Sequence, residues 1–205
     1  VQDLSGPVGI VSTITQVGAA AETASIAWRQ IFYFAALLAV SLSSIKQYYD
    51  EKYDKNNFMQ NIIFDNLLSF DLHQKARELH VDIDIPRAVF YIKVLDEGEV
   101  GIYDVLRNMF PDKERDFVIN IDTKNLVLIK ELKEVENSQK LEETAQAIVD
   151  TVNAETMLTV CVGLSTVAYN IDQINNAYKE AQIALEVGKV FDEEKYILNY
   201  DNLGI

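Results

Sequence analysis

The 205-residue sequence has one cysteine, two histidines, three prolines and one tryptophan. A lone Cys161 excludes a disulfide within the chain, and its place in an apolar run reads as a small buried hydrophobe. His73 and His80 are too few for a histidine-rich metal site and read as surface or partly buried structural residues. No His-Glu-x-x-His, no nucleophile elbow and no readable Cys/His pair occurs, which removes the common hydrolase signatures. Cations are scarce: the net charge is -14. Such a field opposes unaided docking on a nucleic-acid backbone or on an anionic membrane. A basic n-region is also missing, so the start is no typical signal peptide, and Val1 in place of Met reads as an excerpt.

What is present is unevenly arranged. Residues 1–44 carry only Asp3, Glu22 and Arg29 as charges, so nearly all the acid lies downstream. Ile31 to Ile45 is a 15-residue run without charge, short of the roughly 18–20 residues that cross a bilayer. Extending it back takes in Arg29, which can snorkel. A membrane contact is therefore confined to residues 24–45; the alternative is a helix buried against a partner or a second copy. From Lys46 to Leu68 a helical register continues, with Tyr49, Tyr53, Met59, Ile62, Ile63 and Leu67 on one apolar stripe. "DEKYDK" (50–55) reads as its solvated face, with Glu51 and Lys55 at i,i+4 spacing. Asp71 is placed to cap a second short helix over 72–80.

From Pro86 the rhythm changes. "RAVFYIKVL" (87–95) predicts a buried strand, and "GIYDVLRNMF" (101–110) a helix that stops at Pro111. "DFVINID" (116–122) and "NLVLIKEL" (125–132) predict a hairpin. An amphipathic helix over 138–155, a strand over 157–167, a helix from 171 to about 190 with a small-residue stripe, and a last short strand in 195–204 follow. Asn170 and Gln173 fit a capping-box variant at the start of that last helix. The first six of these elements are the split-βαβ order of a ferredoxin-like sheet, an α+β fold with helices on one face. The expected organisation is an apolar segment (1–45), a helical connector (46–81) and an α+β regulatory domain (82–205).

Two stretches, from "NNFMQNIIFDNLL" to "AVFYIKV" and from "VGLSTV" to "YDNLGI", resemble the central GGDEF-like domain of sugar-diacid-regulator-type (CdaR/PucR-type) bacterial transcription factors. The strongest marker is "VGLSTV" followed by "INNAYKEAQIALEVGKVF". There Ala177, Tyr178, Ala181, Ala184 and Leu185 match the family's Ser/Ala-Tyr-x-x-Ala-x-x-Ala-Leu helix. The resemblance covers about 46–205. It implies a fold similar to that of diguanylate cyclases, a dimeric signalling role in the cytoplasm, DNA contact through a helix-turn-helix beyond this sequence, and effector sensing through a separate N-terminal element. By contrast, "DLSGPVGIVSTITQVG" and "WRQIFYFAALLAVSLSSI" resemble the entry into a transmembrane helix of site-2-type membrane metalloproteases, without that family's zinc motifs. The two resemblances meet at a seam near Ile45–Lys46.

Cyclase chemistry needs carboxylates that hold Mg²⁺ against a triphosphate and a glycine-rich turn on the central hairpin. Here that hairpin reads "INIDTKNLVL", with no glycine and one acid, Asp122. Asp96 stands just past the first strand and reads as a turn residue. "GEVG" (98–101) reads as an ordinary βα turn, since Glu97 and Glu99 would repel an anion. The expectation is a non-enzymatic domain without catalytic, metal or cofactor-binding residues. Its functional contact is expected on the stripe Tyr49, Tyr53, Met59, Ile62, Ile63 and Leu67, with the alternative of a nucleotide- or small-ligand-binding module.

Overall fold

The computed structural model describes residues 54–96, 101–112, 114–132, 138–191 and 195–204, and all but 27, 29, 32 and 36 of 25–44. The chain divides into two compact units, Val1–Asp50 and Glu51–Ile205. In the first, the described residues of 25–44 are helical and exposed. The hydroxyls of Ser41, Ser43 and Ser44 donate back to the carbonyls of Leu37, Ala39 and Val40 at 2.9–3.0 Å, the local bond by which serine satisfies itself inside a helix. Among the described residues no helix is long and apolar enough to cross a membrane. The predicted seam, with Tyr49 and Tyr53, lies outside the described residues.

The second unit is an α+β sandwich. A helix over 54–63 (α1) leads through a turn to α2 (Ser69–Glu78). Then come β1 (Arg87–Val94), α3 (Ile102–Met109), β2 (Phe117–Asn120), β3 (Asn125–Glu131), α4 (Ser138–Thr156), β4 (Val160–Leu164), α5 (Ile174–Phe191) and β5 (Ile197–Asn199). Short 3₁₀ turns occupy Ile171–Gln173 and Tyr200–Leu203. The strand order is β2-β3-β1-β4-β5. β1 pairs antiparallel with β3 and β4, and β2 with β3. β5 joins β4 in parallel after the α5 crossover, as a strand–helix–strand unit requires. The ferredoxin-like order is thus present with one strand added.

The layering differs from the expectation of helices on one face. Alternate residues of β1 enter two separate cores. Ala88, Phe90, Ile92 and Val94 meet α3 and α4, while Val89 and Tyr91 meet α1, α2 and α5. The signal lay in β1 itself: seven of its eight residues are buried, and an unbroken apolar strand marks a sheet covered on both sides.

The connector also departs from a continuous 46–68 helix. α1 ends at 63, and Asp65 takes a left-handed conformation (φ 58°) in the turn that follows. α2 starts three residues earlier than expected. Its N-cap is Leu68, with no side-chain capping bond, and Asp71 sits in the first turn instead of capping. Its end is a Schellman motif: His80 is left-handed (φ 52°), its N–H donates to the Arg77 carbonyl, and the Val81 N–H reaches Ala76 O at 2.8 Å. Lys55 pairs with Glu114, while Glu51, its expected i,i+4 partner, lies outside the described residues. At α5 the expected cap is present but shared over two residues. Asn170 Oδ1 accepts from the Gln173 N–H at 3.2 Å, and Gln173 Oε1 accepts from the Tyr169 N–H at 2.8 Å.

α5 lies unusually close to the sheet. A Cβ placed on Gly163 would stand 2.1 Å from the Ala181 carbonyl oxygen and 3.1 Å from Leu185 Cβ, whereas the three atoms nearest to one on Gly188 all belong to the side chain of Leu198. Backbone cannot yield as a side chain can. Gly163→Ala is therefore expected to cost about 3 kcal/mol or more and Gly188→Ala about 1 kcal/mol. Chemical denaturation of the two variants beside the wild type measures the difference, and equal losses would contradict the close approach.

Candidate functional site at the hairpin end of the sheet

The register that pairs Lys93 with Asn125 sets the C-terminal end of β1 beside the β2–β3 hairpin. The Val94 N–H donates to the Lys124 carbonyl at 2.8 Å, closing that junction. Asp96 and Asp122 therefore stand at the same end of the sheet. Each carboxylate accepts from backbone N–H, Asp122 within its own turn and Asp96 from a separate element. Asp122 Oδ1 accepts from the N–H groups of Lys124 and Asn125 at 2.8 and 2.9 Å. The Asn125 side-chain amide donates to both oxygens at 3.0 and 2.8 Å. These bonds, the Asn125 amide first and the Lys124 N–H next, hold Asp122 below the usual carboxylate range. Asp96 Oδ2 accepts from the Thr159 N–H at 2.5 Å, while the Leu95 N–H donates to the Thr159 carbonyl. Asp96 thus ties the end of β1 to the start of β4.

Metal–triphosphate chemistry at such a hairpin asks for free carboxylate oxygens and a backbone turn that lets phosphates approach. The donor set here does not fit that demand. Both oxygens of Asp122 and one of Asp96 accept from N–H donors, and the turn Asp122-Thr123-Lys124-Asn125 contains no glycine. Among the described residues no three His, Cys, Asp or Glu side chains converge on a point.

Behind the hairpin lies an aromatic chain. The Tyr91 and Tyr178 rings are 5.9 Å apart and tilted by 52°, and Phe64 meets Tyr178 edge-on at 6.2 Å. Tyr91 and Tyr178 are buried. Burial, with the nearby Tyr178, Asp122 and Glu186 adding to it, pushes the Tyr91 phenol up to about 12. Tyr178 is raised by burial first, then by Asp122 and Glu186.

The expected contact stripe is placed differently. Met59, Ile62 and Ile63 are buried in the core between α1, α5 and the sheet, with Leu67 packed partly against it. They seal this domain's own interior and are no free surface. The reason is local: α5 supplies a socket for α1. The Asn175 amide donates to the Ile63 carbonyl at 2.8 Å and to Ile62 O at 3.4 Å, satisfying carbonyls at the end of α1. The large apolar residues left exposed in this region are Phe64, Leu68 and Phe70.

Sequence reading missed two polar positions. Arg87, 2% exposed, heads β1 and donates from Nη2 to the Asp82 carbonyl at 2.9 Å, while its Nε and Nη1 have no hydrogen-bond partner. Burial pulls its guanidinium down from the ordinary range against the opposite pull of Glu131 and Asp82. An arginine opening an otherwise apolar strand was the available signal. Glu180 is the second: its Oε2 accepts from the N–H and the hydroxyl of Thr166 at 3.1 and 2.6 Å, tying α5 to the end of β4.

The topology and this hairpin define an α+β module of the kind built around a split-βαβ sheet. A profile described as the GGDEF-like domain matches residues 65–187, more than half of the chain, and the protein belongs to that family. No curated protein matched the chain. The family is one of signalling-type modules. The residues that carried the resemblance have packing roles here. Ala177, Ala181 and Ala184 are buried, Ala181 sits over Gly163, and Tyr178 bridges Phe64, in the turn after α1, and Tyr91 on β1.

The Tyr91 phenol yields a pH test. A group whose folded pKa is raised contributes fully below its unfolded value, near 10, and loses that contribution as pH rises toward about 12. The wild type is expected to lose stability steeply over that window and Tyr91→Phe less steeply. Urea midpoints from pH 9 to 12 check it, and parallel curves would refute it.

Proposed function

We propose that the chain is the non-catalytic signalling and dimerisation domain of a bacterial transcription regulator of the sugar-diacid-regulator (CdaR/PucR) type, acting in the cytoplasm. DNA contact would be made by a helix-turn-helix and effector sensing by an N-terminal element, both outside these residues. The observation that carries the non-catalytic reading is the state of Asp122, whose carboxylate serves the backbone of its own turn, and of Asp96, which accepts from the Thr159 N–H across the sheet. The regulator type is supported by the match of Ala177, Tyr178, Ala181, Ala184 and Leu185 to the helix motif of that group. Its net charge of -14 agrees with leaving DNA contact to another element.

A small-ligand-binding role is the second reading, favoured by one feature. A polar cleft of about 420 Å³ lies between α4 and the β5 end, lined by Gln139, Glu142, Gln146, Lys195, Asn199 and Asn202. Glu142 Oε1 already accepts from the side-chain amides of Asn199 and Asn202 at 3.0 and 3.2 Å, so the cleft's central acid is partly engaged. For residues 1–45, origin as a membrane-metalloprotease fragment without its active site is supported by the resemblance of "DLSGPVGIVSTITQVG" and "WRQIFYFAALLAVSLSSI" to that family. Partition of the whole chain, but not of residues 46–205, into detergent micelles would bear on it.

The main reading is tested by calorimetric titration with GTP and Mg²⁺. The expected outcome is no saturable heat and no cyclic dinucleotide product. Saturable binding that disappears in Asp96→Ala and Asp122→Ala would overturn it.

A further inference from the structure

We propose that the exposed face of α2 is the surface through which two copies of this chain associate, antiparallel about a two-fold axis. The inference rests on the reading of the domain as self-associating and names the face that does it. Of the stripe expected from sequence, Met59, Ile62 and Ile63 are buried, and Tyr49 and Tyr53 lie outside the described residues.

Three observations converge on α2. First, apolar residues are exposed where local rules would place polar ones. Leu68, 75% exposed, occupies the N-cap of α2 with no capping bond, a position that favours Ser, Thr, Asp or Asn. Phe70, 79% exposed, follows in the first turn, and Phe64 stands beside them at 41%. Second, the same face carries a shallow groove of about 440 Å³, lined by Phe70, His73, Gln74, Arg77 and Glu78. Its lining residues recur at three- and four-residue spacing, while Leu72 and Ala76 on the opposite side are buried in the core. One helix thus offers a ring to insert and a groove to receive it.

Third, the charge is self-complementary. Within α2 the carboxylates Asp71 and Glu78 balance the cations Lys75 and Arg77, in a chain whose net charge is -14. Most of the acid lies in the second unit, and there α2 offers a neutral face on which like charge does not oppose the approach of a second copy. The order matters as well. When two α2 helices cross antiparallel near Gln74, Asp71 of each copy lies on the same edge of the contact as Lys75 of the other, and each Phe70 ring reaches the other copy's Arg77 guanidinium, where cation–π attraction adds. A two-fold contact repeats each pairing, as an isologous interface must. A ten-residue helix is only about 15 Å long, so the patch is smaller than permanent dimer interfaces, and the association should be weak and reversible.

Sedimentation velocity on the full chain, from about 1 to 200 μM, tests this directly. The wild type is expected to pass from monomer to dimer across that range. Phe70→Glu should weaken association by at least about tenfold. Asp71→Lys and Lys75→Asp should each weaken the homodimer. An equimolar mixture of those two variants should recover it, because one copy then carries two lysines opposite two aspartates on the other. All three positions are exposed, and far-UV circular dichroism with a thermal melt establishes that each variant folds. A dimer unaffected by Phe70→Glu would overturn the α2 face and leave the self-association reading standing. A wild type that stays monomeric throughout would overturn both.

Discussion

Under α5 the backbone of β4 has no room for a side chain at Gly163, where the helix carbonyl of Ala181 presses directly on the sheet. Much of the second unit depends on that contact. It requires small residues along the inner face of α5, and Ala177, Ala181 and Ala184 supply them. With the helix drawn in, the Tyr178 ring comes within reach of Tyr91 on β1 and Phe64 beyond α1. Asn175 reaches the last carbonyls of α1, and Glu180 reaches Thr166 at the end of β4. A larger residue at any of the three alanines would lift α5 and stretch those bonds together, because close-packed interiors do not deform in one place only. The motif that marks the family is in this chain a set of spacing rules for one helix.

The hairpin end has a different logic. In a fold of this type the junction of β1 with the β2–β3 turn gathers acids by topology alone, since the β1–β3 register dictates what stands together. What those acids do depends on their immediate neighbours. Asp122 is drawn into a turn by two N–H groups and an asparagine amide, which accounts for its lowered pKa. Asp96 is drawn across to Thr159. The same positions that could face a cation serve instead to close the loops around them, and with no glycine in the turn the backbone stays shielded by side chains.

The strands and helices of the second unit were legible because period and composition agree there. β1, the hairpin, α4 and α5 fall within a few residues of the expected bounds. The misreadings share one cause: sequence shows that a face is apolar but not what covers it. Met59, Ile62 and Ile63 do form a stripe, yet its partner is α5 of the same chain, and the donor that completes α1, Asn175, lies more than a hundred positions away. Likewise the alternation that decides which side of the sheet each helix covers is invisible in a strand whose two faces are both buried. The break after α1 turns on a left-handed Asp65, a conformation any sequence pattern leaves silent when glycine is not there to mark it.

The placement of α1 changes how a signal could pass through this domain. A free helical connector would transmit by rotating or sliding over the domain beneath it. α1 has no such freedom: Phe58, Met59, Ile62 and Ile63 are buried, and its end is bonded to Asn175. A displacement arriving from the N-terminal side would have to move α5 with it or break the packing around Tyr178. α2 follows after only five residues, anchored by Leu72 and Ala76 in the same core and by the His73–Asp172 contact at 2.8 Å to the turn that precedes α5. Helices α1, α2 and α5 therefore form one layer, and any event on the outer face of α2, including the arrival of a second copy, acts on the same packed layer that holds the sheet.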